Sequence, residues 1–244
     1  MKIRPAITLV LALLAPAAPL MAQGFWDNKD WQQWSKEECR KVLEDSPWAH
    51  KWFRTHVAED RFGRPTQGDT RETEQQIFYI IQLRSALPVR QAFIRDLQIR
   101  NKYDKMSAEQ KKNFDASAEG FLKRKYDDVI VVHVLYGSNI QKDERDLMTF
   151  WQTHYPEGTV PMEATLITSS GRRVQPIKYV SGKGGTLEFE MIFPRILNGE
   201  LLLTPDTKIL ALEFQHPDIG VEGAARIYQE FKTDKMMVKG EVVY

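Results

Sequence analysis

Between Met162 and Phe193 three apolar runs follow one another with only short, glycine-bearing turns between them. Met162–Thr168, Val174–Val180 and Thr186–Phe193 read as strands, and Ser169-Ser170-Gly171 and Ser181-Gly182-Lys183-Gly184-Gly185 as the turns. Turns this short fold neighbouring strands antiparallel, because a parallel pair needs a crossover of about a dozen residues or more. Leu201–Leu203, Lys208–Gln215, Ala225–Phe231 and Met236–Val243 add further strand candidates. That number of strands points to a sandwich or a partly open barrel. The predicted class is α+β: an antiparallel β-sandwich-like domain over 74–244.

The middle of the chain supplies helices to that domain. A strand over Gln76–Arg84 is followed by Pro88, which suits the first position of a helix carrying Val89, Phe93 and Leu97. Ser107 with Gln110 forms a capping box, and Phe114, Ala118, Phe121 and Leu122 give the next apolar stripe. Val129–Tyr136 is a strand apolar on both faces except for His133, as a central strand would be. The two helices therefore form an insert at 86–126. A shorter helix is expected around Asp143–Thr153, carrying Leu147, Phe150 and Trp151. So much amphipathic helix argues against an outer-membrane barrel, and no internal repeat is visible.

Five of the six tryptophans lie between Trp26 and Trp52. Ser35 and Glu38 make a capping box, which places Trp34 and Cys39 where a hydrophobic staple packs, so Cys39 is expected to be covered. Ser46-Pro47 reads as the start of a second helix, with Trp48, Trp52, Phe53 and Val57 on one face. Residues 23–59 thus read as a Trp-rich helical arm packed outside the domain, joined through a Gly- and Pro-bearing linker at 60–73. Helical spacing is a packing signal, so clamping is the expected role of most of these indoles. Indole faces also suit sugars and protein partners. Trp26 and Trp31 are the binding candidates.

Upstream of the arm, Lys2 and Arg4 precede an apolar run from Ala6 to Leu20, and Ala22 offers a small residue for cleavage. This is the layout of a secretory signal peptide over 1–22, too short for a membrane span. The expected address is secreted or periplasmic, with no integral membrane segment after cleavage. The 34 basic residues nearly match the 33 acidic ones, which gives no electrostatic footprint for nucleic acid. Cys39 is the single cysteine, so no internal disulfide can form.

Catalytic motifs are sparse. Ser181–Gly185 lacks the spacing of a phosphate loop and reads as a hairpin turn. There is no G-x-S-x-G elbow, and the histidines His50, His56, His133, His154 and His216 show no metal-ligand spacing. His133 reads as a hydrogen-bonded core histidine; it, His154 and His216 are the candidates for a hidden metal site. Glu188 and Glu190 alternate with Leu187, Phe189 and Met191, which puts them on the wet face of a strand. No metal and no cofactor are expected.

Three motifs in order carry a resemblance: Ser46-Pro47-Trp48-Ala49, Arg84-Ser85-Ala86-Leu87-Pro88-Val89-Arg90 and Phe193-Pro194-Arg195. The chain resembles a set of uncharacterised secreted bacterial proteins that share them. The resemblance implies an exported bacterial protein and carries over no functional residue. The expected function is a non-enzymatic binding protein with an envelope or extracellular protein or glycan as partner. A periplasmic hydrolase with a loop-assembled His/carboxylate site, and a carrier or chaperone for an apolar ligand, are the alternatives.

Overall fold

The computed structural model describes residues 24–57, 74–156, 158–220 and 223–244. The expected signal peptide (1–22) and linker (60–73) lie outside the described residues. Among those residues the fold is α+β, with five helices and thirteen strands in antiparallel sheets. No described helix is long and apolar enough to cross a membrane.

The larger sheet has the order β1-β2-β3-β7-β6, from Ala49–Val57 (β1), Glu74–Leu83 (β2), Val129–Ser138 (β3), Lys178–Ser181 (β6) and Glu188–Pro194 (β7). The smaller sheet is built from Thr165–Thr168 (β4), Arg173–Val174 (β5), Ile209–His216 (β10) and Ala225–Lys232 (β11), in the order β11-β10-β4-β5. Two small hairpins complete the set, Ile196–Leu197 (β8) with Glu200–Leu201 (β9) and Met237–Val238 (β12) with Glu241–Val242 (β13). Every pairing is antiparallel, as the short turns require.

The sheets face each other across a seam of aromatic rings. Helix α5 (Gln141–Thr153) inserts Leu147 and Trp151 between them, both fully buried. Trp151 lies 4.3 Å from Phe189 of β7, Phe189 lies 6.1 Å from Phe214 of β10, and Tyr79 of β2 lies 5.5 Å from Phe214. Strand β7 alternates strictly: Phe189, Met191 and Phe193 are buried inward, while Glu188, Glu190 and Ile192 point the other way.

Part of the outer face of the larger sheet is covered by two helices. Helix α2 (Lys36–Glu44) and helix α3 (Leu87–Arg100) pack together around Trp34, Cys39, Val42 and Ala92. The capping box forms as expected: Ser35 Oγ accepts from Glu38 N at 3.2 Å, and Ser35 N donates to Glu38 Oε2 at 2.7 Å. Trp34 and Cys39 are both buried, and burial pushes the Cys39 thiol up to about 11. Helix α4 (Ala108–Leu122), started by the Ser107–Gln110 capping box, completes the insert.

Two expectations are corrected. The second N-terminal helix does not form; Ala49–Val57 is a strand instead. Ser46 Oγ donates to Val42 O at 2.7 Å and accepts from Trp48 N at 3.2 Å, closing a tight turn after α2. From His50 to His56 the burial alternates, and each residue from Ala49 through Val57 faces a partner on β2. A full ladder of cross-strand pairs outweighs the weak helix signal of Pro47, which suits a turn equally well. This segment therefore joins the sheet and is no outlying helical arm. The single strand expected over Val174–Val180 is two strands, β5 and β6, in different sheets. Pro176 lies between them; lacking an N–H, it cannot continue a ladder, and the chain crosses from one sheet to the other there.

Replacing Phe189 by Ala should cost about 3–5 kcal/mol, and Ser35 by Ala about 1 kcal/mol, in urea unfolding. Native Cys39 should react with a thiol reagent far more slowly than in the unfolded chain. Equal rates would contradict the packing of α2 on α3.

Candidate functional site

Because β7 turns its phenylalanines inward, its glutamates stand on the outer face of the larger sheet. There the register sets Gln82, His133 and Glu190 directly opposite one another on β2, β3 and β7. Arg84, whose N–H donates to Val131 O at 2.8 Å, and Glu188, opposite Leu135, lie one step to either side. One face thus gathers a guanidinium, an imidazole, an amide and two carboxylates.

The hydrogen bonds fix the imidazole's state. Arg84 Nη2 is 3.0 Å from His133 Nδ1, and His133 Nε2 is 3.0 Å from Glu188 Oε2. A guanidinium only donates, so Nδ1 accepts, and the imidazole proton sits on Nε2 and is donated to Glu188. Gln82 Oε1, 3.3 Å from the same Nδ1, is then a polar neighbour and no partner. Burial lowers the pKa of His133 against the opposing pull of Glu188. The hydrogen bond from His133, the largest effect, holds the Glu188 carboxyl below its ordinary value. Both imidazole nitrogens are committed and the carboxylate is a weakened base. The cluster is built to hold charge in place, and it is poorly suited to proton transfer.

Arg84 is the most constrained member. Its side chain is 11% exposed, its guanidinium lies 4.8 Å over the Phe93 ring, and Nη1 is 3.7 Å from Glu190 Oε1. Its Nε has no hydrogen-bond partner. Arg84, His133 and Glu188 form the wall between two hollows. One, of about 260 Å³, runs under the Ser181–Thr186 turn and includes Glu190; the other, of about 300 Å³, runs between the sheet and the edges of α2 and α3.

The predicted binding residues Trp26 and Trp31 meet in a different groove. Trp26 lies on helix α1 (Phe25–Asn28) and Trp31 opens a 3-10 turn over Trp31–Gln33, started by Asp30 accepting from Gln32 N at 2.9 Å. Lys239 N donates to Asp27 Oδ1 at 3.0 Å, tying this segment to the β12–β13 hairpin. The groove encloses about 530 Å³ and also presents Asn28, Gln91 and Lys239.

The tryptophans around it divide by role. Trp34 and Trp48 are buried, and their Nε1 groups donate to Lys29 O at 3.3 Å and Val243 O at 2.6 Å. Trp26 packs edge-on against Trp48 at 5.2 Å, yet it and Trp31 remain partly exposed. Among the described residues neither Trp26 nor Trp31 has an acceptor for its indole N–H.

The other candidates lie apart. His154 stacks on Phe150 at 4.3 Å. His216 is a core residue, its Nδ1 2.7 Å from Tyr79 Oη and its Nε2 3.2 Å from Ile219 O. Among the described residues no three His, Cys, Asp or Glu side chains are grouped to hold a metal. His133 is indeed a buried, hydrogen-bonded strand histidine, and Glu188 and Glu190 do face away from the core. Their meeting with Arg84 was missed; the signal for it is the matched parity of 82/84, 133 and 188/190 on three strands, which needs the register to be known. No family model, curated protein or solved structure matches the chain.

Burial lowers the pKa values of His50, His133 and His216. The unfolded chain therefore binds protons first as pH falls below about 6.5, and the fold loses stability from there downward. Urea melts at pH 7.5 and 5.5 should show this loss, and His133→Gln should shrink it. An unchanged slope in that variant would contradict the neutral, buried imidazole.

Proposed function

We propose that the chain is an exported, non-enzymatic binding protein whose aromatic groove takes a glycan of the cell envelope or its surroundings. The observation that carries this reading is the division among the tryptophans. Trp34 and Trp48 are buried with their N–H groups committed, while Trp26 and Trp31 stay partly exposed beside one groove, with no indole N–H acceptor among the described residues.

A sugar ring offers both faces that such a groove can meet. Its C–H face packs on indole, and its hydroxyls pair with amide and charged side chains such as Asn28, Gln91 and Lys239. The volume of about 530 Å³ suits a short oligosaccharide segment. The basic start and apolar run over 1–22 support export. The hydrolase reading is less well supported, since His133 has no free nitrogen for proton transfer. The carrier reading is less well supported too, because aromatic rings fill the seam between the sheets.

Purified mature protein on an array of bacterial envelope polysaccharides should retain a defined subset of glycans. Trp31→Ala should weaken that binding roughly tenfold or more, the loss expected of a central aromatic contact. Tyr228→Ala, which removes an exposed aromatic on the smaller sheet, should bind as the parent does. No retained glycan, or a Trp31→Ala protein that binds as tightly as the parent, would overturn the proposal.

A further inference from the structure

Arg84 holds more donors than its neighbours accept. A guanidinium carries five N–H groups. Nη2 meets His133 at 3.0 Å, Nε has no partner, and Nη1 reaches Glu190 only at 3.7 Å. A charge-assisted N–H···O bond is normally about 2.7–2.9 Å, so the Arg84–Glu190 pair is held apart. Glu188 has one oxygen on His133 and a side chain 38% exposed, and Glu190 is 30% exposed. A positive and a negative group thus face one hollow side by side, neither neutralising the other fully.

We propose that this hollow binds a small zwitterion of the α-amino acid type. The ligand's carboxylate accepts from Arg84 Nη1, and its ammonium donates to Glu190 and to the outer oxygen of Glu188. An α-amino acid carries its two charges on one carbon, so it can lie antiparallel to the Arg84–Glu190 pair and complete these three charge-assisted contacts. A simple anion would meet two carboxylates, and a simple cation would meet Arg84 and Lys183; each fits only half of the site. The Ser181 side chain at the rim offers a hydroxyl to the same ligand, and the Thr186 side chain hydrogen-bonds Glu188 and helps to hold its carboxylate in place. The size agrees: about 260 Å³ lies just below the range of about 300–1,000 Å³ usual for drug-sized ligands, as a smaller molecule requires, and is too small for an oligosaccharide or a folded peptide. His133 acts as a positioning residue, holding Arg84 and Glu188 on either side of its ring. The site is separate from the aromatic groove and stands or falls independently of it.

The test is a melting-temperature screen of the intact mature protein against the common L-amino acids, followed by calorimetry on those that stabilise it. For each binder, the des-amino acid and the decarboxylated amine are measured in parallel. The expected result is a stabilising amino acid whose two one-charge analogues bind at least tenfold more weakly. Glu190→Gln should weaken binding at least tenfold while leaving the melting temperature of the free protein nearly unchanged. Arg84→Lys, which keeps the charge and loses the planar fork, should weaken it as well. Absence of any stabilising amino acid, a des-amino acid that binds equally well, or an unaffected Glu190→Gln protein would each overturn the assignment.

Discussion

The inward packing of Phe189 against Trp151 and Phe214 fixes more of this molecule than any other contact. A strand turns alternate residues to opposite faces, so burying Phe189, Met191 and Phe193 forces Glu188 and Glu190 outward. A slip of one residue would put two carboxylates into an aromatic seam, at a cost no neighbouring gain could offset. Slips by one residue between β3 and β7 are thereby excluded, and in the register observed His133 stands opposite Glu190. The polar cluster on the outer face is thus a consequence of the core.

The N-terminal segment obeys a similar logic. Trp34 and Trp48 anchor it, one among α2 and α3 and the other through the carbonyl of Val243. Once they are buried, the short helix and 3-10 turn that carry Trp26 and Trp31 are held at the surface beside the β12–β13 hairpin. Buried and partly exposed indoles therefore coexist in one cluster of like residues, the buried pair fixed through their N–H groups.

Local signals in the sequence carried well. Both capping boxes, the covered Cys39, the two-helix insert and the antiparallel hairpins rest on interactions within a few residues, and the structure contains all of them. Ala49–Val57 misled because Ser-Pro starts helices and turns alike, and only the pairing with β2 decides between them. Pro176 was a visible breaker inside an apolar run and marks the crossing between sheets. Trp26 and Trp31 could be chosen from the sequence as candidates, whereas the groove joining them to Gln91 and Lys239 depends on contacts across most of the chain. The Arg84–His133–Glu188 arrangement was out of reach for the same reason: three strands must be aligned before its members meet.

In the proposed reading Trp26 and Trp31 meet the ligand, while Trp34 and Trp48 are held by the fold. Indole N–H signals in a ¹⁵N-correlated NMR spectrum report each tryptophan separately, and a titration with solubilised envelope glycan fragments reads all of them at once. The Trp26 and Trp31 signals should move with a shared saturation curve while those of Trp34 and Trp48 stay in place. Movement of Trp34 and Trp48 with Trp26 and Trp31 unmoved, or no movement at any indole, would contradict it.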